Sequence, residues 1–197
     1  MPVVLSFQSS EIEELRRTEL ALCDLSCLPR ISFKGPEAVG WLEQLGTRVP
    51  ATIYDYSIWS DNGLIIRTDG QEVLLEDGPE GQEVAQVIEQ YGVARSGVYR
   101  VERQEAAFLL CGAKAHDVLR ETCGYDFRQP GDRLIMTRVA GVSCAVLPRE
   151  TTGASAFRLW LDCSFGPYLW EALYEIVRDH GGDAVGMGCF YPELIEA

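Results

Sequence analysis

Histidine is nearly absent from this 197-residue chain: His116 and His180 are the only two. A histidine-ligated metal centre or a histidine-based catalytic triad is therefore hard to build. Basic residues are also few. Lys plus Arg number 17 against 30 Asp plus Glu, for a net charge of −13. A surface of that sign repels phosphate backbones, and no local basic cluster relieves it, which excludes nucleic acid as an expected partner. The acidity serves solubility or offers a docking face to a basic partner subunit. No run approaches the roughly 18 apolar residues that a membrane helix requires. Met1 to Phe7 shows neither a basic region nor a small-residue cleavage pattern, so no signal peptide is expected. The glycine-rich nucleotide fingerprints are missing, as is a Gly-x-Ser-x-Gly elbow; Gly186-Met187-Gly188 is too short and too late to serve as a dinucleotide loop.

Seven cysteines are present, at 23, 27, 111, 123, 144, 163 and 189. An odd count without framework spacing suits a reducing cytoplasm and thiols buried as small apolar groups. Cys23 and Cys27 lack the second pair that a zinc site needs. Apolar residues at 47% and charged residues at 24% describe an ordinary globular chain.

Ser10-Glu11-Ile12-Glu13 has the form of a capping box and opens a helix expected to reach Leu22. Arg30 to Lys34 reads as a strand, followed at Gly35-Pro36 by a helix to Leu45 that buries Val39, Leu42 and Leu45. Ile53 to Trp59 alternates as a strand, with Tyr54, Tyr56 and Trp59 lining a pocket or packing in a core. Leu64 to Thr68 and Gln71 to Glu76 flank the turn dipeptide Asp69-Gly70. Around it cluster Asp61, Asp69, Glu72, Glu76 and Asp77, residue types that turns and exposed strands favour without any catalytic role. A helix spans Glu80 to Tyr91, with Val84, Val87 and Ile88 inward.

The second half repeats the order: strand Ala107–Cys111, helix Ala113–Thr122, a hairpin of Arg133–Val139 and Val142–Leu147, strand Phe157–Cys163, and helix Gly166–His180 capped by Ser164. Gly35-x-x-Ala38-x-x-x-Leu42 recurs as Gly112-x-x-Ala115-x-x-x-Leu119. An internal duplication explains this economically; independent use of Gly at strand-to-helix turns explains it as well. The expectation is a single α+β domain over 1–197, mainly antiparallel, with related lobes at about 23–92 and 97–182.

Leu22-Cys23-Asp24-Leu25-Ser26-Cys27-Leu28-Pro29-Arg30, the strand through Lys34, and Gly35-Pro36-Glu37-Ala38 with Trp41-Leu42 resemble the opening of the glycine-cleavage T-protein family of folate-binding aminomethyltransferases. Gly186-Met187-Gly188 and Ile195-Glu196-Ala197 are similar to that family's Gly-Leu-Gly and Leu-Glu-Ala stretches. A narrower likeness is to the gamma subunit of heterotetrameric sarcosine oxidase. It is carried by Phe108–Gly112 with Val118-Leu119, by Cys123–Phe127, by Thr137–Val142, by Phe157–Leu159 and by Ser164–Trp170.

By this resemblance Tyr54 matches a folate-pocket tyrosine, and an acidic pair should follow at 66 and 67, where this chain has Ile66 and Arg67. The family's Tyr-Thr-Gly-Glu-x-Gly-Phe-Glu becomes Thr151–Arg158 without either glutamate, and its Arg-Asp becomes Phe190-Tyr191. A cation in place of a carboxylate inverts the local charge. The resemblance thus implies a non-catalytic gamma-type subunit of a sarcosine or N-methylated-amine oxidoreductase complex, beside flavin-binding alpha- and beta-type subunits that carry FAD or FMN. The alternatives are a tetrahydrofolate-binding aminomethyltransferase-like protein in one-carbon transfer and a bare interaction domain. Tyr168 and Trp170, on an aromatic-rich helix start, are the expected contacts with a partner. Phe165 and Leu169 are expected to share the face of Leu173.

Overall fold

The computed structural model describes residues 3–59, 62–128, 131–151, 154–191 and 194. The strands are β1 Ala21–Asp24, β2 Arg30–Lys34, β3 Tyr56–Ile58, β4 Leu64–Asp69, β5 Glu72–Glu76, β6 Tyr99–Glu102, β7 Glu105–Cys111, β8 Ile135–Val139, β9 Val142–Thr151, β10 Ala154–Asp162 and β11 Asp183–Ala184. The α-helices are α1 Ser10–Glu19, α2 Ala38–Gln44, α3 Glu83–Tyr91, α4 Ala115–Thr122 and α5 Gly166–Asp179. The fold is α+β, and strand, helix, three strands, helix occurs twice: β2-α2-β3-β4-β5-α3 and β7-α4-β8-β9-β10-α5.

The chain forms two compact units, one of residues 28–103 and one of residues 1–27 with 104–197. In the first, a wholly antiparallel sheet has the order β3-β4-β5-β2-β6. Alternation sends Ile31, Phe33, Ile65, Val73 and Leu75 to one face, where they meet Ala38, Trp41 and Leu42 of α2 and Val84 and Val87 of α3. Val39 and Leu45, expected inward, are only partly buried, because the α2 stripe centres on Ala38, Trp41 and Leu42. The other face carries a buried ion pair, Arg30 Nε to Glu76 at 2.9 Å. In the second unit the order is β11-β1-β7-β10-β9-β8, antiparallel except for β1 beside β11. Phe108, Leu110, Phe157 and Leu159 pack there against Leu119 of α4 and Leu169, Leu173 and Val177 of α5.

The recurrent Gly-x-x-Ala-x-x-x-Leu has one physical meaning in both places. Gly35 and Gly112 sit at φ 121° and 110°, backbone that side chains rarely adopt. Each donates its N–H to a carbonyl of an adjacent segment, Gln71 O or Ser155 O, and accepts from the helical alanine three residues on. A Cβ at Gly35 would lie 2.4 Å from Gly97 O, and one at Gly112 would lie 2.5 Å from Glu19 O. Ala38 and Ala115 are fully buried, as is Leu42, with Leu119 nearly so.

Several local expectations give way to tertiary structure. Helix α1 stops at Glu19, and Leu22 lies in β1, where pairing with Leu110 of β7 buries it completely. The Ser10 capping box does not form: Ser9 is the N-cap, and it caps without a side-chain hydrogen bond. Glu13 is buried instead, and one carboxylate oxygen takes the N–H groups of Phe7 (2.6 Å) and Gln8 (3.1 Å). The Asp69-Gly70 hairpin forms one residue later than read, with Gly70-Gln71 between paired Asp69 and Glu72 and the Asp69 carboxylate accepting Gln71 N–H. Ala140 and Gly141 at φ 47° and 83° make the tight turn expected between β8 and β9. Ser164 does not cap α5. A 3-10 turn, Cys163–Phe165, precedes the helix, and Asp162 accepts from Ser164 N–H and hydroxyl.

Candidate functional site

In the unit of residues 28–103, Tyr54 lies outside β3, which begins only at Tyr56. Its φ is 71° and its side chain is 40% exposed, so it neither alternates with Tyr56 nor joins the core. Trp59, by contrast, packs against the core cluster of this unit. The loop is held by its backbone: Tyr54 N–H donates to Arg67 O at 2.7 Å, and Arg67 N–H to Asp55 O at 3.1 Å. The Arg67 guanidinium turns back under the same loop and donates to Pro50 O (3.1 Å), Ala51 O (2.8 Å) and Gly70 O (3.1 Å). Ile66, at the other position where the resemblance expects an acid, is fully buried. This region therefore presents an exposed tyrosine on a loop whose carbonyl oxygens, together with that of Gly70, engage the Arg67 guanidinium. Of the turn carboxylates, Glu76 holds Arg30, Asp77 accepts Val84 N–H at the start of α3, and Asp61 lies outside the described residues.

In the other unit, helix α5 brings Trp170 and Tyr174 together. Their spacing of four puts them on one stripe, and the rings stack at 6.3 Å and 17°. The edge of Phe108 meets Trp170 at 5.4 Å, so Trp170 is partly buried against the core. Tyr168 points elsewhere: it is 55% exposed, with its hydroxyl donating to Ala140 O. Phe165 is exposed as well and does not share the buried face of Leu169 and Leu173, because it lies in the 3-10 turn ahead of the helix.

Trp170 and Tyr174 form one wall of a pocket of about 480 Å³. The strap of residues 4–8 contributes Val4, Phe7 and Gln8 to its lining, and Ala184 and Val185 also line it. The strap is pinned by Glu13 and by Met187 N–H to Val4 O and Gly188 N–H to Leu5 O, both at 2.9 Å. Gly186 is required where it passes, since a Cβ there would lie 2.2 Å from Leu5 O. Two carboxylates reach the pocket, Asp24 and Asp183. Asp183 accepts from the Tyr174 hydroxyl (3.0 Å), Ala184 N–H (2.9 Å) and Gln8 Nε2 (3.0 Å). Burial, then the hydrogen bond to Asp183, pushes the Tyr174 hydroxyl above the ordinary tyrosine pKa. Asp24 Oδ1 accepts Ser26 N–H at 2.9 Å. The sequence reading singled out none of Glu13, Asp24, Tyr174 or Asp183 for such a role; the i, i+4 spacing of Trp170 and Tyr174 was the one signal available.

His116 of α4 contacts Ser155 Oγ at 3.1 Å and the Phe157 ring edge-on, and His180 pairs with Glu121. Among the described residues no group of three or more His, Cys, Asp or Glu side chains is placed to hold a metal ion, and no helix is long and apolar enough to cross a membrane. Phe157 and Arg158, in the segment without the family's glutamates, are both buried in β10, while Thr152 and Gly153 lie outside the described residues. Tyr191 is also buried, and Ile195-Glu196-Ala197 fall outside the described residues.

Similar proteins agree with this architecture. An aminomethyltransferase of Moorella thermoacetica is 27% identical over 91% of this chain and 54% of its own length. One from Oceanobacillus iheyensis is 25% identical over 95% of this chain and 56% of its own. The chain thus spans about half the length of the curated relatives it matches. Among solved structures, heterotetrameric sarcosine oxidase from Corynebacterium sp. U-96 in complex with pyrrole 2-carboxylate has a chain that superposes with a TM-score of 0.68 at 16% identity, covering 87% of this chain and 92% of that one. Glycine cleavage system aminomethyltransferase T from Bartonella henselae superposes at 0.64 and 19% identity, over 94% of this chain and 53% of that one. The GCVT N-terminal domain family matches residues 4–196, the repeated strand-helix pattern with its two glycines included, and the chain belongs to that family.

Proposed function

We propose that this chain is a non-catalytic gamma-type subunit of a heteromeric flavin-dependent oxidase or dehydrogenase of sarcosine or another N-methylated amine. The observation that carries the reading is Arg67. Where the resemblance calls for a carboxylate to meet the folate amine, a guanidinium stands, and its hydrogen bonds go to the carbonyls of residues 50, 51 and 70. A cation in place of that carboxylate repels a developing positive charge on a folate nitrogen instead of stabilising it. The likeness to a chain of heterotetrameric sarcosine oxidase over 92% of that chain supports the same reading. In it, FAD and FMN belong to alpha- and beta-type subunits, the complex is cytoplasmic, and Tyr168 and Trp170 belong to the surface that meets a partner. Exposed aromatic residues of the Tyr168 kind are enriched at interface hot spots.

A second reading, a tetrahydrofolate-binding aminomethyltransferase-like protein, is favoured by the aminomethyltransferase relatives and by the exposed Tyr54 ring. Co-expression with flavin-binding alpha- and beta-type subunits, followed by affinity purification, tests the first. The isolated chain is expected to be colourless and inactive towards sarcosine, and to co-purify in a yellow complex that Tyr168→Ala weakens by about 2 kcal/mol. Turnover of sarcosine by the lone chain refutes the proposal. Micromolar tetrahydrofolate binding in calorimetry, abolished by Tyr54→Ala, transfers the assignment to the second reading.

A further inference from the structure

The pocket beside the N-terminal strap has a chemistry of its own, although it shares Trp170 with the partner surface of the first reading. Among the described residues its carboxylates are Asp24 and Asp183, and none of those that line it is a lysine, arginine or histidine. The other described lining residues are apolar or aromatic apart from Gln8, whose amide is committed to Asp183. Asp183 has its oxygens occupied by neutral donors, which hold it in place without cancelling its charge. Asp24 differs. Ser26 N–H occupies Oδ1, and among the described residues no donor reaches Oδ2. A carboxylate oxygen left open at an aromatic-walled cavity attracts a positive charge that carries its own apolar surface.

The indole supplies the second half of recognition. Tryptophan is the best cation acceptor among side-chain rings, and the Trp170 ring stacks with that of Tyr174, which also lines the pocket. The Arg178 guanidinium lies 5.9 Å from the Tyr174 ring centroid without lining the pocket, so this helix already holds one cation against an aromatic ring. The walls are fixed in advance. Glu13 binds the backbone of the strap, and Met187 and Gly188 pair with Val4 and Leu5, so a ligand meets a formed cavity and does not have to order one.

We infer that this pocket binds a small organic cation, an alkylated ammonium whose charge lies between Asp24 and the Trp170 ring and whose apolar groups rest on Phe7 and Val185. The ligand class overlaps the N-methylated amines of the proposed function, but binding is tested on the chain alone, so its failure leaves the flavin-complex reading standing.

Choline and its uncharged isostere 3,3-dimethylbutan-1-ol separate charge from shape. Titrated into the full chain and followed by calorimetry and tryptophan fluorescence, choline is expected to bind roughly tenfold or more tightly than the alcohol. Asp24→Asn, which keeps an oxygen for Ser26 N–H, is expected to lower choline affinity by roughly tenfold while the thermal midpoint stays near that of the parent chain. Trp170→Leu is expected to weaken choline and remove the fluorescence response. If that variant unfolds, Asp24→Asn alone decides. No choline binding at millimolar concentration, equal binding of the alcohol, or an unchanged affinity in Asp24→Asn each overturns the proposal.

Discussion

Cysteine reactivity in this molecule follows from where each thiol sits. Burial pushes Cys111 up to about 12 and Cys144 and Cys189 up to about 11, and burial followed by the neighbouring Cys111 raises Cys23 well above its ordinary value. A thiol held protonated does not attack, because the thiolate is the nucleophile. Cys27 and Cys163 are the two exposed ones. With Ellman's reagent at pH 8 the folded chain should therefore release a fast signal from two thiols, lost in Cys27→Ser with Cys163→Ser, and all seven should react only in denaturant. The scattered spacing of the cysteines predicted burial in general, but not which two would be exposed. Site residues were legible to the same degree. Arg67 was conspicuous because a resemblance led to its position, yet its grip on the carbonyls of residues 50, 51 and 70 depends on a loop whose path no local pattern specifies. Glu13 looked like half of a capping box. It took another role because the strap of residues 4–8 brings two unpaired N–H groups to it, and a buried carboxylate goes where donors are.

At the level of elements, the strands were the readable part. Strand β2 matches its expected ends, and β4, β5, β7 and the β8–β9 turn lie close to theirs, since alternation and turn chemistry act within a few residues. Helix ends were less legible. Leu22 fits a helical stripe and a strand face equally well, and pairing with Leu110 decided the matter from a distant part of the chain. Tyr54 likewise continued an alternating pattern that a left-handed φ of 71° interrupts. The glycines give a test with opposite signs. Gly35 sits at φ 121° with Gly97 O against its missing Cβ, whereas Gly40, inside α2, has nothing within 4 Å. Gly35→Ala should destabilise the chain by about 2 kcal/mol or more through strain and overlap. Gly40→Ala should stabilise it by about 0.5–1 kcal/mol through helix propensity. Urea midpoints of the two variants, with unchanged slopes, provide the measurement.

For the molecule as a whole, a charge of −13 is a standing internal repulsion that ions weaken. The thermal midpoint of the isolated chain should rise by a few degrees between about 10 mM and about 150 mM NaCl. If the acidity also serves a basic partner, affinity for that partner should fall over the same interval, and the two trends would then have opposite signs. Belonging to the family was legible from end to end in Leu22–Leu42 and in the second-half motifs, because backbone-constrained glycines and buried alanines tolerate few substitutes. That residues 1–27 join 104–197 was not, since it depends on pairings across long stretches of chain. The division into units sets a calendar for synthesis on the ribosome. All five strands of the 28–103 sheet have been made by Glu102, whereas Ala21–Asp24 has emerged early and must wait, unpaired, for Phe108–Cys111 and then for Asp183-Ala184. The interval leaves the backbone of Leu22 and Cys23 exposed in the nascent chain, a vulnerability of birth that the finished protein, with both side chains buried, no longer shows.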